Sequence, residues 1–402
     1  MLRDAIKNNE IIQKKIKKNK LEGKIIDIVV KFIKDNDFIC YGGSAINALL
    51  PDYKKIYDDD IDIPDYDFFS SNAMTDAKKL AKIYSDEGYE NVEAKSAMNL
   101  GTYKVFVNFI PIADITQMDK NIFDNLHKKS KIIKGIRYSP IKFLKMGLYL
   151  ELSRPLGDIS RWEKVYSRLE LLNDIYKENL SINEDLYIPN NIENKNLYKK
   201  LFDLCVKNKW VLFGECIMKL FNRYCKDISI YTPKIPVIFI LTDNVKKIVD
   251  KLPKHSIKLI SGDHKFIGKI YKISINNIDF IYLFKTNSCM SYNSIKIKGN
   301  IHNIASIDTM LSIYYALSFI NIDSNFSMKN IESYSYVLEN IHSNNGTNIM
   351  KRFYTPCIGT QKTLEDIKKE RMEIYFKYRN NKNNKTYKKY FLRYNPKTKK
   401  NM

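Results

Sequence analysis

A run of carboxylates is the first feature of this chain that could do chemistry. Asp58-Asp59-Asp60-Ile61-Asp62-Ile63-Pro64-Asp65-Tyr66-Asp67 leads directly into the apolar Phe68-Phe69 and then Ser70. In an extended segment residues i and i+2 share a face, so Asp65 and Asp67 present two carboxylates side by side. Like charges held that close are costly unless cations neutralise them, and hard oxygen donors suit Mg²⁺ or Mn²⁺. A third acid, Asp114, sits in the apolar stretch Phe109-Ile110-Pro111-Ile112-Ala113-Asp114-Ile115, where an adjacent strand would complete a two-metal site. Asp60 and Asp62 form a rival pair. Pro64 at a permitted strand start, with Phe68 and Phe69 as a buried continuation, favours Asp65 and Asp67, and the plain reading of Asp58 to Asp62 is an acidic surface loop.

These acids need elements to hold them. Phe38-Ile39-Cys40 reads as a short strand feeding the turn Tyr41-Gly42-Gly43-Ser44, and Ala45 to Leu50 opens a helix. Backbone N–H groups of Gly42 and Gly43 and the Ser44 hydroxyl could there meet a phosphate at a helix N-terminus. Tyr66 to Ser70 reads as a strand, Thr75 to Tyr84 as a helix, and Tyr103 to Ile115 as a pair of strands broken near Pro111. Ser139-Pro140 starts a helix through Leu152, and a second helix runs from Ile159 to Tyr176. Ser181 to Asn196, rich in Asn and Glu, reads as a linker.

Beyond that linker the pattern recurs. A shift of 172 positions lays Tyr41-Gly42 on Phe213-Gly214, a shift of 168 lays Lys104 to Thr116 on Lys272 to Phe284, and a shift of 164 lays Lys134-Gly135 on Lys298-Gly299. Under these shifts Asp65, Asp67 and Asp114 become Val237, Phe239 and Tyr282. A copy without carboxylates cannot hold metals, so the second half is expected to be structural or RNA-binding.

The chain has 402 residues, and 67 Lys plus Arg against 45 Asp plus Glu give a net charge of +22, which points to a polyanionic partner. Hydrophobic residues at 44% exclude wholesale disorder, and no apolar run reaches the ~18 residues of a membrane span. Six scattered cysteines without a CxxC pair argue against zinc or a disulfide framework, so reduced thiols are expected. The histidines lack metal-ligand spacing. From Ile374 to Met402 ten basic residues, among them Lys388, Lys389 and Arg393, alternate with aromatics such as Tyr375, Tyr387 and Phe391. That combination suits single-stranded nucleic acid, cations on phosphates and rings on bases. The competing reading is a solvated tail.

Gly-Gly-Ser, then an Asp-x-Asp strand, then one Asp on a later apolar strand resembles the polymerase-β-like nucleotidyltransferases. The wording Tyr41-Gly42-Gly43-Ser44-Ala45 and Pro64-Asp65-Tyr66-Asp67-Phe68-Phe69-Ser70, with Ser139-Pro140 opening the next helix, looks like the poly(A) polymerase catalytic subunits of large DNA viruses, the poxviruses and their giant-virus relatives. The resemblance is most specific from Cys40 to Leu156. It implies an α/β (α+β) fold: a basic helical segment at 1–35, a catalytic nucleotidyltransferase domain with helical extension at 36–185, a degenerate nucleotidyltransferase-like domain at 196–345 and a basic aromatic segment at 346–402. It also implies transfer of AMP from ATP to an mRNA 3′-hydroxyl with release of pyrophosphate by a two-metal mechanism. Asp65, Asp67 and Asp114 would hold two Mg²⁺ or Mn²⁺ ions, and Gly42, Gly43 and Ser44 would seat the nucleotide phosphates. Lys142 and Lys145, one helical turn apart, are candidates to meet the triphosphate, and Arg154 and Arg161 to follow RNA. Implied partners are ATP, an RNA 3′ end and either a second copy or a processivity subunit, with no membrane, in the host cytoplasm (viral factory) or the virion. The alternatives are another template-independent nucleotidyltransferase, adding uridine or making oligonucleotides, and a non-catalytic RNA-binding accessory subunit.

Overall fold

Ile25, Val29, Phe32 and Ile33 recur at helical spacing, and all four are buried along α1 (Gly23–Asp35). The chain then forms β1 (Ile39–Tyr41), α2 (Gly42–Leu49), β2 (Tyr66–Ser70), α3 (Ala73–Asp86), β3 (Val92–Ser96), β4 (Thr102–Val107), β5 (Ile110–Gln117), α4 (Lys120–Lys129), β6 (Lys131–Ile133) and β7 (Ile136–Tyr138). The computed structural model describes residues 2, 5–6, 8–13, 23–58, 65–177, 188–221, 232–322, 326–343, 352–353 and 356–397. Met1–Pro140 with Leu364–Met402 makes one unit and Ile141–Thr363 a second.

The sheet of the first unit runs β16-β3-β4-β5-β2-β1-β7-β6, where β16 is the late strand Arg393–Tyr394. Along β4, Tyr103, Val105 and Val107 are buried while Thr102, Lys104 and Phe106 face the other way, the period-2 pattern of a sheet with one covered face. The covering helices are α1, whose Phe32 ring meets Phe68 of β2, and α3, whose Tyr84 hydroxyl donates to the Ile25 carbonyl at 2.7 Å.

The second unit contains α5 (Ile141–Leu152), α6 (Trp162–Ile175), α7 (Ile192–Lys207), β8 (Val211–Phe213), α8 (Glu215–Phe221), β9 (Ile238–Thr242), α9 (Val245–Val249), β10 (Ser256–Ser261), β11 (Ile270–Ile275), β12 (Ile278–Lys285), β13 (Met290–Ile297), β14 (Asn300–Ala305), α10 (Ile307–Leu317), α11 (Met328–Ser343) and β15 (Cys357–Ile358). Its sheet order, β10-β11-β12-β9-β8-β14-β13-β15, repeats the first strand for strand over seven positions. The repeat extends to irregularities. In both sheets a positive-φ turn, Asn108-Phe109 and Asn276-Asn277, is followed by a bulge that leaves Ile112 and Phe280 without a partner in the register. The internal duplication read from the sequence is thus present in the backbone.

Three expectations change. The helix from Ile141 and the one after it belong to the second unit, so the boundary falls at Pro140 rather than near 185. The Asn-rich linker gives way to helix at Ile192, whose start Asn191 caps by accepting from Asn194 N–H. Cys289 and Cys357 form a disulfide, where reduced thiols were expected. Pairing of β13 with β15 sets Cys289 beside the Cys357 strand across 68 residues, a proximity that linear spacing does not reveal. Cys40 and Cys205 are buried free thiols.

After the second unit the chain returns to the first as α12 (Leu364–Tyr378), α13 (Lys385–Phe391) and β16 (Arg393–Tyr394). Ser96 N–H donates to the Leu392 carbonyl at 3.1 Å, and Arg371 donates to the Ala97 carbonyl at 3.0 Å and the Tyr390 carbonyl at 2.7 Å. The described part of this segment is therefore a docked element rather than a solvated tail. Among the described residues no helix is long and apolar enough to cross a membrane. The stretch Asp59 to Pro64, with the rival Asp60 and Asp62, and the lysines Lys14 to Lys20 lie outside the described residues.

Candidate active site

Register alone assembles the carboxylates. Tyr41 of β1 is paired with Asp67 of β2, Asp67 with Asp114 of β5, and Asp114 with Lys104 of β4. Paired residues project to the same face, so Tyr41, Asp67, Asp114 and Lys104 form one row on the face opposite α1 and α3. The bulge at Ile112 sets this row. Without the extra residue Lys104 would stand opposite Ala113, and every side chain from there on would change face.

Gly42 shapes the floor. It has φ +73°, and a Cβ placed on it would lie 2.5 Å from Asp67 Oδ2, so only glycine lets the carboxylate lean over the start of α2. Gly43 is buried and Ser44 half-buried in the first turn of α2, with the Ser44 hydroxyl near the Tyr41 carbonyl at 3.5 Å. Asp65 is exposed and stands two residues before Asp67, immediately ahead of β2. All three acids reach the Tyr41 phenol electrostatically. Its proton is held tightly first by burial and then by Asp67, with lesser contributions from Asp114 and Asp65, while its 2.8 Å hydrogen bond with Thr116 works the other way.

Lys104 was not singled out by the sequence. Its Nζ lies 2.5 Å from Asp114 Oδ2, while Asp114 Oδ1 is enclosed without a hydrogen-bond partner. The clue was present in Thr102-Tyr103-Lys104-Val105, an alternating strand paired with the Asp114 strand, but the bulge hides which residue faces the acid. Among the described residues no group of three or more His, Cys, Asp and Glu could hold a metal ion as the side chains stand. The structure supplies an adjacent pair, Asp67 and Asp114, with Asp65 at its edge and Lys104 as present counter-charge. An enclosed, unpartnered carboxylate oxygen beside a second carboxylate over a glycine floor suits a hard divalent cation.

Other candidates fare differently. Lys145 has its side chain fully buried in the second unit, with Nζ 3.1 Å from both oxygens of Glu339 and 2.6 Å from the Tyr176 carbonyl. Its charge is committed within the core, and it is withdrawn as a triphosphate ligand. Lys142 is half-buried and pairs with Glu332 at 2.8 Å. Arg154 has its Nε enclosed without a partner, while Arg161 is exposed and pairs with Glu151 at 3.1 Å. Lys388 and Lys389 are exposed on α13. Tyr375, Tyr387 and Phe391 pack on one another, with Arg371 over Phe391 at 5.1 Å. Those contacts hold the segment together, with Tyr375 keeping an exposed face.

The second sheet shows the same row emptied of acids: Phe213 is paired with Phe239, Phe239 with Tyr282 and Tyr282 with Lys272. Gly214, at φ +74°, now has the Phe239 ring 2.5 Å from its Cβ position, as Gly42 has Asp67. Phe326 packs edge-on against Phe239 and Tyr282, each at 5.0 Å. Glu215 stands where the first unit has Gly43. Burial raises its carboxyl to about 7, against smaller opposing contributions from Val237 N–H, Asn330 and Tyr334. Aromatic filling and a buried acid leave no seat for a nucleotide phosphate.

Comparison with known proteins agrees with this geometry. Residues 27–158 match the family described as "Poly(A) polymerase catalytic subunit". A proposed poly(A) polymerase catalytic subunit of Acanthamoeba polyphaga mimivirus is 31% identical over 179 residues, covering 43% of this chain and 30% of that protein. Its counterpart in African swine fever virus (isolate Tick/Malawi/Lil 20-1/1983) is 32% identical over 156 residues, covering 39% of this chain and 32% of that protein. The matches thus span about a third of these relatives' length. The crystal structure of the Megavirus polyadenylate synthase superposes with a TM-score of 0.79 at 21% identity, over 100% of this chain and 85% of that one. The chain therefore shares the fold of that synthase, and the family recognised from the motifs is the one whose pattern matches residues 27–158.

Proposed function

We propose that this chain is a template-independent adenylyltransferase that extends mRNA 3′ ends with AMP from ATP, releasing pyrophosphate. The observation that carries the reading is the in-register pair Asp67 and Asp114 over the Gly42 floor, within the stretch matched by the poly(A) polymerase family. Asp67 and Asp114, with Asp65 beside them, would hold divalent magnesium or manganese. When bound, such ions would activate the RNA 3′-hydroxyl and neutralise charge on the α-phosphate. Gly43 and Ser44 at the start of α2 offer N–H and hydroxyl donors to the nucleotide phosphates. Tyr41 and Thr116 fix the wall beside Asp67 through their hydrogen bond, and the Tyr41 ring stacks on Phe69 at 3.9 Å. Lys104 donates to Asp114 Oδ2 and so orients the carboxylate beside Asp67. The family name also supports a partner subunit, and light scattering distinguishes a second copy from a different chain.

Primer extension with a single-stranded RNA, each NTP in turn and Mg²⁺ or Mn²⁺ tests the reading. ATP should be incorporated in preference to the others, and Asp67→Asn or Asp114→Asn should abolish incorporation while RNA binding persists. Wild-type-like tailing by either variant would remove the assignment.

A further inference from the structure

We infer that the row holding Asp67 and Asp114 continues into a track for the backbone of single-stranded RNA, built from Lys104, Lys95 and Arg393. The inference rests on the adenylyltransferase reading for the identity of the polyanion and adds where it lies. Register carries the row onward: Lys104 is paired with Lys95 of β3, and Lys95 with Arg393 of β16. Six adjacent strands thus present Tyr41, Asp67, Asp114, Lys104, Lys95 and Arg393 in one line, an acidic half at the site and a basic half running to the sheet edge. With strands about 4.8 Å apart, Asp114 to Arg393 spans about 14 Å. That exceeds a triphosphate and suits a short run of backbone phosphates.

Two observations support the track beyond the charge itself. The last basic position exists because the chain comes back from the second unit to add β16 on the β3 edge; the β10 edge of the second sheet has no such strand among the described residues. Tyr394 turns toward α3, with Lys78 over its ring at 5.9 Å, which leaves Arg393 on the row's face with its side chain 84% exposed. In the second sheet the acids are gone, yet the row still carries Lys272 and Lys258. There Lys272 has Asp279 as its partner at 3.0 Å, whereas the only carboxylate Lys104 touches among the described residues is Asp114, which a metal would claim.

Glu93 pairs with Arg393 at 2.6 Å and with Lys95 at 3.6 Å, so two cations share one acid. Glu93 is half-buried, but both cations are open to solvent, and pairs reached by solvent are weak enough to exchange for a phosphate. Lys95 also lies over the Phe106 ring at 4.0 Å, which holds its ammonium on the row.

The test measures binding of the full chain to fluorescein-labelled oligo(A) RNA across a salt series, in EDTA and without nucleotide, so that it does not depend on catalysis. Each phosphate contact removed lowers the slope of log affinity against log salt by about 0.7 for a single strand. Lys95→Gln/Arg393→Gln should lower it by about 1.4, Arg393→Gln alone by about 0.7, and Arg393→Lys should restore that share. A control that removes two equally paired lysines from α3 on the covered side, Lys79→Gln/Lys82→Gln, should change the slope by less than half as much. An unchanged slope in the double variant, or an equal drop in the control, overturns the track. So does weakened ATP binding with the RNA slope intact, since the cations would then serve the triphosphate. If the slope falls as expected but wild-type protein adds no nucleotide, the track stands and the adenylyltransferase reading fails.

Discussion

Gly42 and Gly214 occupy equivalent positions, and the same substitution at each should have opposite consequences. Alanine at either must adopt a left-handed conformation, at φ +73° or +74°, which costs about 1–2 kcal/mol. At Gly42 the new methyl would lie 2.5 Å from Asp67 Oδ2, and ordinary contact begins near 3.4 Å, so the carboxylate must retreat by about 0.9 Å. β2 cannot move with it, because it is hydrogen-bonded between β1 and β5 and Phe68 is fully buried. The adjustment therefore falls on the Asp67 side chain. A displacement of that size in a reacting constellation costs about a hundredfold in rate. At Gly214 the methyl would meet ring carbons of Phe239 at 2.5 and 2.8 Å, and that ring is enclosed by Phe213, Phe284 and Phe326. Overpacking of this kind adds about 1–3 kcal/mol to the backbone strain. Single-turnover AMP incorporation and thermal melting separate the two. Gly42→Ala should lose about two orders of magnitude in rate with a modest loss of melting temperature. Gly214→Ala should melt markedly lower yet retain the wild-type rate per folded molecule. A wild-type rate for Gly42→Ala, or equal rate losses in both variants, would refute the assignment of Asp67 and the reading of the second row as inert.

Glu215 makes stability depend on pH. Its carboxyl is ordinarily near 4.5 and is raised to about 7 in the folded chain, so between these values the folded protein holds a proton that the unfolded chain releases. Stability is therefore greatest below about pH 4.5 as far as this group is concerned, falls by about 3 kcal/mol as pH rises to about 7, and is flat above. Melting curves across this range should show Glu215→Gln gaining on wild type as pH rises, and parallel pH profiles would contradict the buried acid. Lys145→Ala should destabilise the second unit by about 3–5 kcal/mol, since buried Glu339 would lose its counter-charge and keep only hydroxyl donors such as Tyr315. Lys145→Ala/Glu339→Ala should recover part of that loss. An altered KM for ATP in the single variant without loss of stability would return Lys145 to the nucleotide site.

Much of the site was legible in order of residues. The turn into α2 at Gly42-Gly43-Ser44 and the strands that carry Asp67 and Asp114 could be read locally, because alternation and turn residues are properties of short segments. The Tyr66–Ser70 strand and the Ile141–Leu152 helix are found where apolar spacing puts them. The duplication was legible too, since Val237 and Phe239 fall under a shift of 172 and Tyr282 under a shift of 168, and register pairs Phe239 with Tyr282. What the sequence could not supply is which side chains meet. One extra residue at Ile112 decides that Lys104 faces Asp114, and a bulge is a property of two strands rather than one. The fate of Lys145 turned on Glu339, far along the chain; the disulfide turned on the pairing of two distant strands; and the docked C-terminal segment turned on an open β3 edge. In each case the deciding energy is a contact between residues separated by tens to hundreds of positions. The sequence by itself determined the kinds of groups present and the elements that carry them, and tertiary structure decided which charges are paired, which are buried and which remain on the face of the sheet.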